Sequence, residues 1–152
     1  MTKTTNVSGA FVAASWAGLV IGVAGTLIGL WNADSLKASE KGFYLAVLLL
    51  GLYSGVSLQK AVRDRLEGIR VTSIYYGLSW AALASAIALL VVGLFNAELL
   101  LSEKGFFGMA FALAMFASIA VQKNIRDRGD EPPATSRPEA NDVSAVDAHF
   151  GG

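Results

Sequence analysis

The side chains in this sequence that could do chemistry come in matched sets. Ser39-Glu40-Lys41-Gly42 recurs as Ser102-Glu103-Lys104-Gly105, and Gln59-Lys60-x-x-Arg63-Asp64 recurs as Gln122-Lys123-x-x-Arg126-Asp127. A carboxylate next to an ammonium can cap a helix or hold a polar ligand. A Lys/Arg/Asp cluster at a helix end can grip lipid phosphates or dock an acidic partner. Nucleophilic and metal chemistry have little to draw on. Cysteine is absent, which removes disulfides, thiolates and Cys-ligated metals. The single histidine, His149, stands close to the C-terminus. No nucleophile–base pair or phosphate loop is legible, so neither catalysis nor a cofactor or metal is expected. The net formal charge is zero and gives no reason to expect nucleic acid.

The elements that must carry these motifs are strongly apolar. Hydrophobic residues make up 54% of the 152-residue chain and charged ones 16%, against about 25% charged in a soluble domain. Residues Val7–Ala33, Gly42–Gln59, Val71–Ala97 and Gly105–Gln122 contain no Asp, Glu, Lys, Arg or His. A membrane helix needs about 20 apolar residues to cross about 30 Å of hydrocarbon. The pattern predicts an all-α membrane protein with four transmembrane helices, at about 10–32, 42–60, 73–96 and 105–123. Residues 1–9 are expected to form a cytoplasmic N-terminus, 65–72 a cytoplasmic loop, and 128–152, with all three prolines, a disordered cytoplasmic tail. The first apolar run is too long for a signal peptide and lacks a convincing cleavage site.

The chain also repeats itself. Ser15-Trp16-Ala17 matches Ser79-Trp80-Ala81, and Gly29-Leu30-Trp31-Asn32-Ala33 matches Gly93-Leu94-Phe95-Asn96-Ala97, at an offset of 64 residues that becomes 63 through the two polar motifs. Across Ser15–Asp64 and Ser79–Asp127, 20 of 49 aligned pairs are identical. Two helical hairpins, 10–64 and 73–127, are the duplicated unit. Lys3, Lys60, Arg63, Arg65, Arg70, Lys123, Arg126, Arg128 and Arg137 fall on one side of the membrane, and only Lys37, Lys41 and Lys104 on the other. The positive-inside rule then places both termini in the cytoplasm. Two copies with the same polarity imply a pseudo-two-fold axis along the membrane normal.

Gly18, Gly22, Gly25 and Gly29, spaced 4, 3 and 4, form one stripe on helix 1. Gly51-x₃-Gly55 and Ala114-x₃-Ser118 occupy matching places in helices 2 and 4. Small residues let helix backbones approach in lipid, so packing is the expected role and a glycine-lined solute path the rival. Ser39 and Ser102 are expected to cap helices 2 and 4, with Glu40 and Glu103 in the first turn. Asn32 and Asn96 would end helices 1 and 3, either as left-handed residues or as amides bonding between repeats. At the inner ends Arg63 could reach Asp127 while Arg126 reaches Asp64. The competing arrangement is local, Lys60 with Asp64 and Lys123 with Asp127.

Taken together, SW…GL[WF]NA…SEKGF…QKx₂RD, present twice, resembles the YiaA/YiaB two-helix-domain family of bacterial inner-membrane proteins. The likeness covers nearly the whole chain through Pro133, including Thr72-Ser73-Ile74-Tyr75-Tyr76. It implies an inner-membrane, two-hairpin protein and carries over no catalytic residue. The spans lack the ionisable groups on which secondary transporters, pumps and voltage sensors depend. The sequence therefore points to a non-enzymatic scaffold, accessory subunit or lipid-interacting factor. Its expected partners are anionic headgroups on the cytoplasmic side, a second copy or another membrane protein. The alternative is a transporter or channel for a neutral small solute between the hairpins.

Overall fold

The computed structural model describes residues 8–129. The expected N-terminal segment and C-terminal tail lie almost wholly outside them. Four helices follow in order, α1 (Gly9–Asn32), α2 (Ala38–Leu66), α3 (Ser73–Asn96) and α4 (Leu101–Gly129), each long and apolar enough to cross a membrane.

Their starts follow from local chemistry. Ser8 Oγ accepts the Phe11 N–H at 3.3 Å before α1, and Thr72 Oγ1 accepts that of Tyr75 at 3.4 Å before α3. For α2 and α4 the serine-cap expectation is corrected. The Glu40 carboxylate accepts the Lys37 N–H, and the Glu103 carboxylate that of Leu100, each at 2.7 Å. Ser39 and Ser102 sit inside the first turn, because a carboxylate that reaches back to the free N–H lets the helix begin earlier.

The second and fourth helices also run well past Lys60 and Lys123. Ionic side chains end the apolar run without ending the helix, since Lys, Arg and Glu are good helix formers. At 29 residues, α2 is roughly 43 Å long and projects beyond the hydrocarbon. It stops at a Schellman turn, in which Ile69 N–H donates to Asp64 O at 2.8 Å and Gly68 N–H to Arg65 O at 3.2 Å. Gly68 takes the positive φ of 74° that this turn demands.

Several hydroxyls within the spans are satisfied by their own helices. Ser15 donates to Phe11 O, Thr26 to Gly22 O, Ser79 to Tyr75 O and Ser118 to Met115 O, at 2.7–2.9 Å. Outward faces are large and apolar, among them Ile21, Ile28, Ile74 and Val91.

The hairpins do not pack as closed units. Helix α1 lies along α4, α3 lies along α2, and α2 meets α4 at the centre. Within each hairpin, α1 with α2 and α3 with α4, contact is slight. The order of packed neighbours is α1–α4–α2–α3, so each repeat lends its first helix to the other. Between α1 and α4 the fit is very close: a Cβ on Gly22 would stand 2.6 Å from the Ala114 backbone nitrogen. Ala86, the repeat counterpart of Gly22, is fully buried in one cluster with Val47 and Leu48 of α2. Near the other end Phe106 and Phe107 pack on Gly29, and Phe43 and Tyr44 pack on Gly93. Tyr44 and Phe107, equivalent in the repeat, stack face to face at 6.1 Å across the α2–α4 interface.

Candidate functional site: the polar helix ends

All the repeated ionic groups gather at the two ends of the bundle. At the end formed by the α2 and α4 C-termini, Arg63 Nε donates to Glu67 Oε1 at 2.7 Å, and its Nη2 reaches Oε2 at 3.5 Å. Arg126 Nη2 comes to 3.7 Å of the same Glu67 oxygen. One carboxylate thus bridges the two repeats through their equivalent arginines. This corrects both pairings expected from sequence: among the described residues the carboxylate engaged is that of Glu67, not Asp64 or Asp127. The reason is the extra length of α2, which places Glu67 one turn beyond Arg63 on the same face. Partly exposed pairs of this kind contribute at most about 1 kcal/mol each.

Next to this cluster, the Arg65 guanidinium lies over the Tyr76 ring at 4.0 Å and ties the end of α2 to the start of α3. A second tie joins α4 to α1: Asn124, 1% exposed, donates from Nδ2 to Ser15 Oγ at 3.1 Å. Its repeat counterpart is Ala61, so this bond exists once in the bundle. Sequence reading passed over Glu67 because it lies beyond the identical motif, and Asn124 because Ala61 stands in its place in the first repeat. For Asn124 the departure from the repeat was the signal; for Glu67 it was an acid kept at the repeat offset, as Asp130. Lys60 and Lys123 remain exposed, and Gln59 and Gln122 half-buried.

At the opposite end the ammonium groups of Lys41 and Lys104 reach back to backbone carbonyls of Trp31 (3.3 Å) and Phe95 (3.2 Å). Cations there complement the negative C-terminal ends of α1 and α3. The two asparagines take neither expected role. Asn32 Nδ2 donates to Ile28 O and Asn96 Nδ2 to Val92 O, both at 2.8 Å, and no non-glycine residue has a positive φ among the described residues. Each amide turns back on its own helix, onto the carbonyl one turn earlier. Equivalent pockets of about 250 and 280 Å³ flank these ends. Glu40, Phe43 and Gly93 line one, and Glu103, Phe106 and Gly29 the other.

The expected small-residue positions lie between the two ends. Gly18 faces Ala117 and Leu113, Gly25 faces Phe106, Gly51 meets the Phe111 ring, and Gly55 faces Met115 and Ile119. Ala114 is wholly buried. Within the described residues, no group of three or more His, Cys, Asp or Glu is placed to hold a metal ion. The arrangement supplies cationic and hydrogen-bonding groups at both membrane surfaces and tight packing between them.

The model of the yiaA/B two helix domain matches twice, over residues 11–64 and 75–127. The chain is 55% identical over 131 residues to "Inner membrane protein YiaA" of Escherichia coli (strain K12), covering 86% of this chain and 90% of that protein. It is 48% identical over 40 residues to "Uncharacterized membrane protein YubF" of Bacillus subtilis (strain 168), covering 26% of this chain and 46% of that one. No solved structure matches it.

Proposed function

The chain belongs to the yiaA/B two helix domain family, and from that premise we propose a non-enzymatic membrane bundle that serves as a scaffold, accessory subunit or lipid-interacting factor. Four apolar spans, and likeness to an inner membrane protein over most of the chain, make it a multi-pass protein of the inner membrane. The observation that carries the functional reading is the filled centre. A Cβ on Gly22 would fall 2.6 Å from the Ala114 backbone, the Phe111 ring fills the space beside Gly51, and Tyr44 and Phe107 stack where α2 meets α4. A solute path between the hairpins would require these faces to part. Binding chemistry is left to the ends, where exposed Lys60 and Lys123 suit anionic headgroups.

Purified protein in liposomes is therefore expected to leave glycerol and urea permeation at the level of empty vesicles. Faster entry would replace this reading with transport of a neutral solute.

We read the Glu67 end as cytoplasmic, with both termini inside, from the nine-to-three bias of Lys and Arg. The halves are read as related by a pseudo-two-fold axis along the membrane normal, supported by contacts that recur at the repeat offsets. Single cysteines at Ser35 and Ser102 should react with an impermeant maleimide in intact cells whose outer membrane is permeabilised. Reaction at Ser136 alone would invert the orientation.

A further inference from the structure

A groove beside the Glu67 cluster has a shape and polarity that the reading above does not use. It runs along α2 from Gly55 to Leu66 and is closed by Leu83 of α3 and Ile119 of α4, with a volume of about 340 Å³. Its walls are apolar apart from Gln59 and Arg63. From Gly55 to Arg63 the helix rises roughly 12 Å, most of the depth of one leaflet of about 15 Å. At the deep end Gly55 is buried and α4 closes the floor, with Met115 and Ile119 standing 3.3–3.6 Å from where a Gly55 Cβ would be. The shallow end carries the Arg63 guanidinium. Two of its nitrogens are engaged by Glu67, and the planar group has five N–H donors in all, so donors remain for a phosphate.

We propose that this groove binds one phospholipid with an anionic headgroup, its acyl chain along α2 and its phosphate at Arg63. The proposal rests on the lipid-interacting reading and narrows it to one site. Charge selects the occupant: a zwitterionic lipid would bring its own cation against Arg63 and the exposed Lys60, and an anionic one brings none. Chain asymmetry limits the site to the first repeat. The counterparts of Gly55 and Leu66 are Ser118 and Gly129, which put a hydroxyl at the floor and remove the apolar lip.

The test uses the full-length protein in phosphatidylcholine vesicles containing a trace of phosphatidylglycerol or phosphatidylcholine with a diazirine on one acyl chain. Irradiation and peptide mapping should place the phosphatidylglycerol label between Gly55 and Leu66 and at Leu83, roughly fivefold above the phosphatidylcholine label, the effect expected of one arginine near a headgroup. Arg63→Gln should bring the two labels level, Arg63→Lys should keep most of the preference, and Leu83→Trp should displace both. If Leu83→Trp fails to fold, the two Arg63 variants still decide, because they lie at a partly exposed helix end. Equal labelling of the groove by both probes, or a preference that survives Arg63→Gln, overturns the proposal. Phosphatidylglycerol enrichment only around Lys123 overturns the groove and spares the wider lipid-interacting reading. Enrichment nowhere overturns both.

Discussion

Gly22→Leu is expected to leave no folded bundle, and Gly22→Ala to destabilise it by about 3 kcal/mol, the upper part of the usual range for overpacking. The cause is backbone contact. A Cβ at Gly22 would lie 2.6, 2.8 and 2.9 Å from the nitrogen, Cα and Cβ of Ala114. A side-chain clash can be relieved by a change of rotamer, but this one is relieved only by moving two helices apart. In lipid the separation is costly because helix association depends on close packing with little hydrophobic drive. The same change at Gly42 or Gly105 meets nothing within 4 Å, and Ala there should gain up to about 1 kcal/mol of helix propensity. Thermal unfolding and size-exclusion profiles in mild detergent make the comparison. An unaltered melt for Gly22→Leu would mean that the α1–α4 contact does not hold the bundle together.

Cutting the chain in the α2–α3 loop is expected to give two pieces that need each other. Residues 1–68 contain α1 and α2, which scarcely touch, while their main partners, α4 and α3, lie on the other piece. Each fragment expressed alone should therefore be degraded or self-associate through its exposed small-residue faces. Co-expressed, an affinity tag on the first fragment should recover the second, and Gly22→Leu in the first should reduce that recovery at least tenfold. A first fragment that is monomeric and stable by itself, with no capture of the second, would contradict the exchanged packing.

The number of spans, their polar rims and the duplication were legible because they depend on composition and spacing along one strand of sequence. Partnership was not. The stripe from Gly18 to Gly29 defines a face, yet the same face would fit α2 or α4, whose sequences are copies of each other. The choice depends on close three-dimensional fit, such as Gly22 against Ala114. Helix ends were misplaced for a different reason: apolar run and helix were treated as one length, although Arg63 to Leu66 continue the helix in a polar setting. That error concealed Glu67, whose carboxylate acts only because α2 is long enough to bring it near Arg63 and Arg126. Asn32 and Asn96 were readable as helix-end residues, but a side chain with two plausible partners reveals neither until the backbone is in place.

The exchange of first helices also sets a clock on biosynthesis. Asn32 closes α1 and Gly129 closes its partner α4, 97 residues later. At about 5–20 residues per second of synthesis, the first span waits roughly 5–20 s for the surface it packs on. Throughout that interval its glycine face is open to lipid and to whatever surveys unassembled helices in the bilayer. A chain cut short anywhere before its fourth span lacks the partner that covers that face within the bundle. The architecture thus marks an unfinished molecule by its earliest-made part.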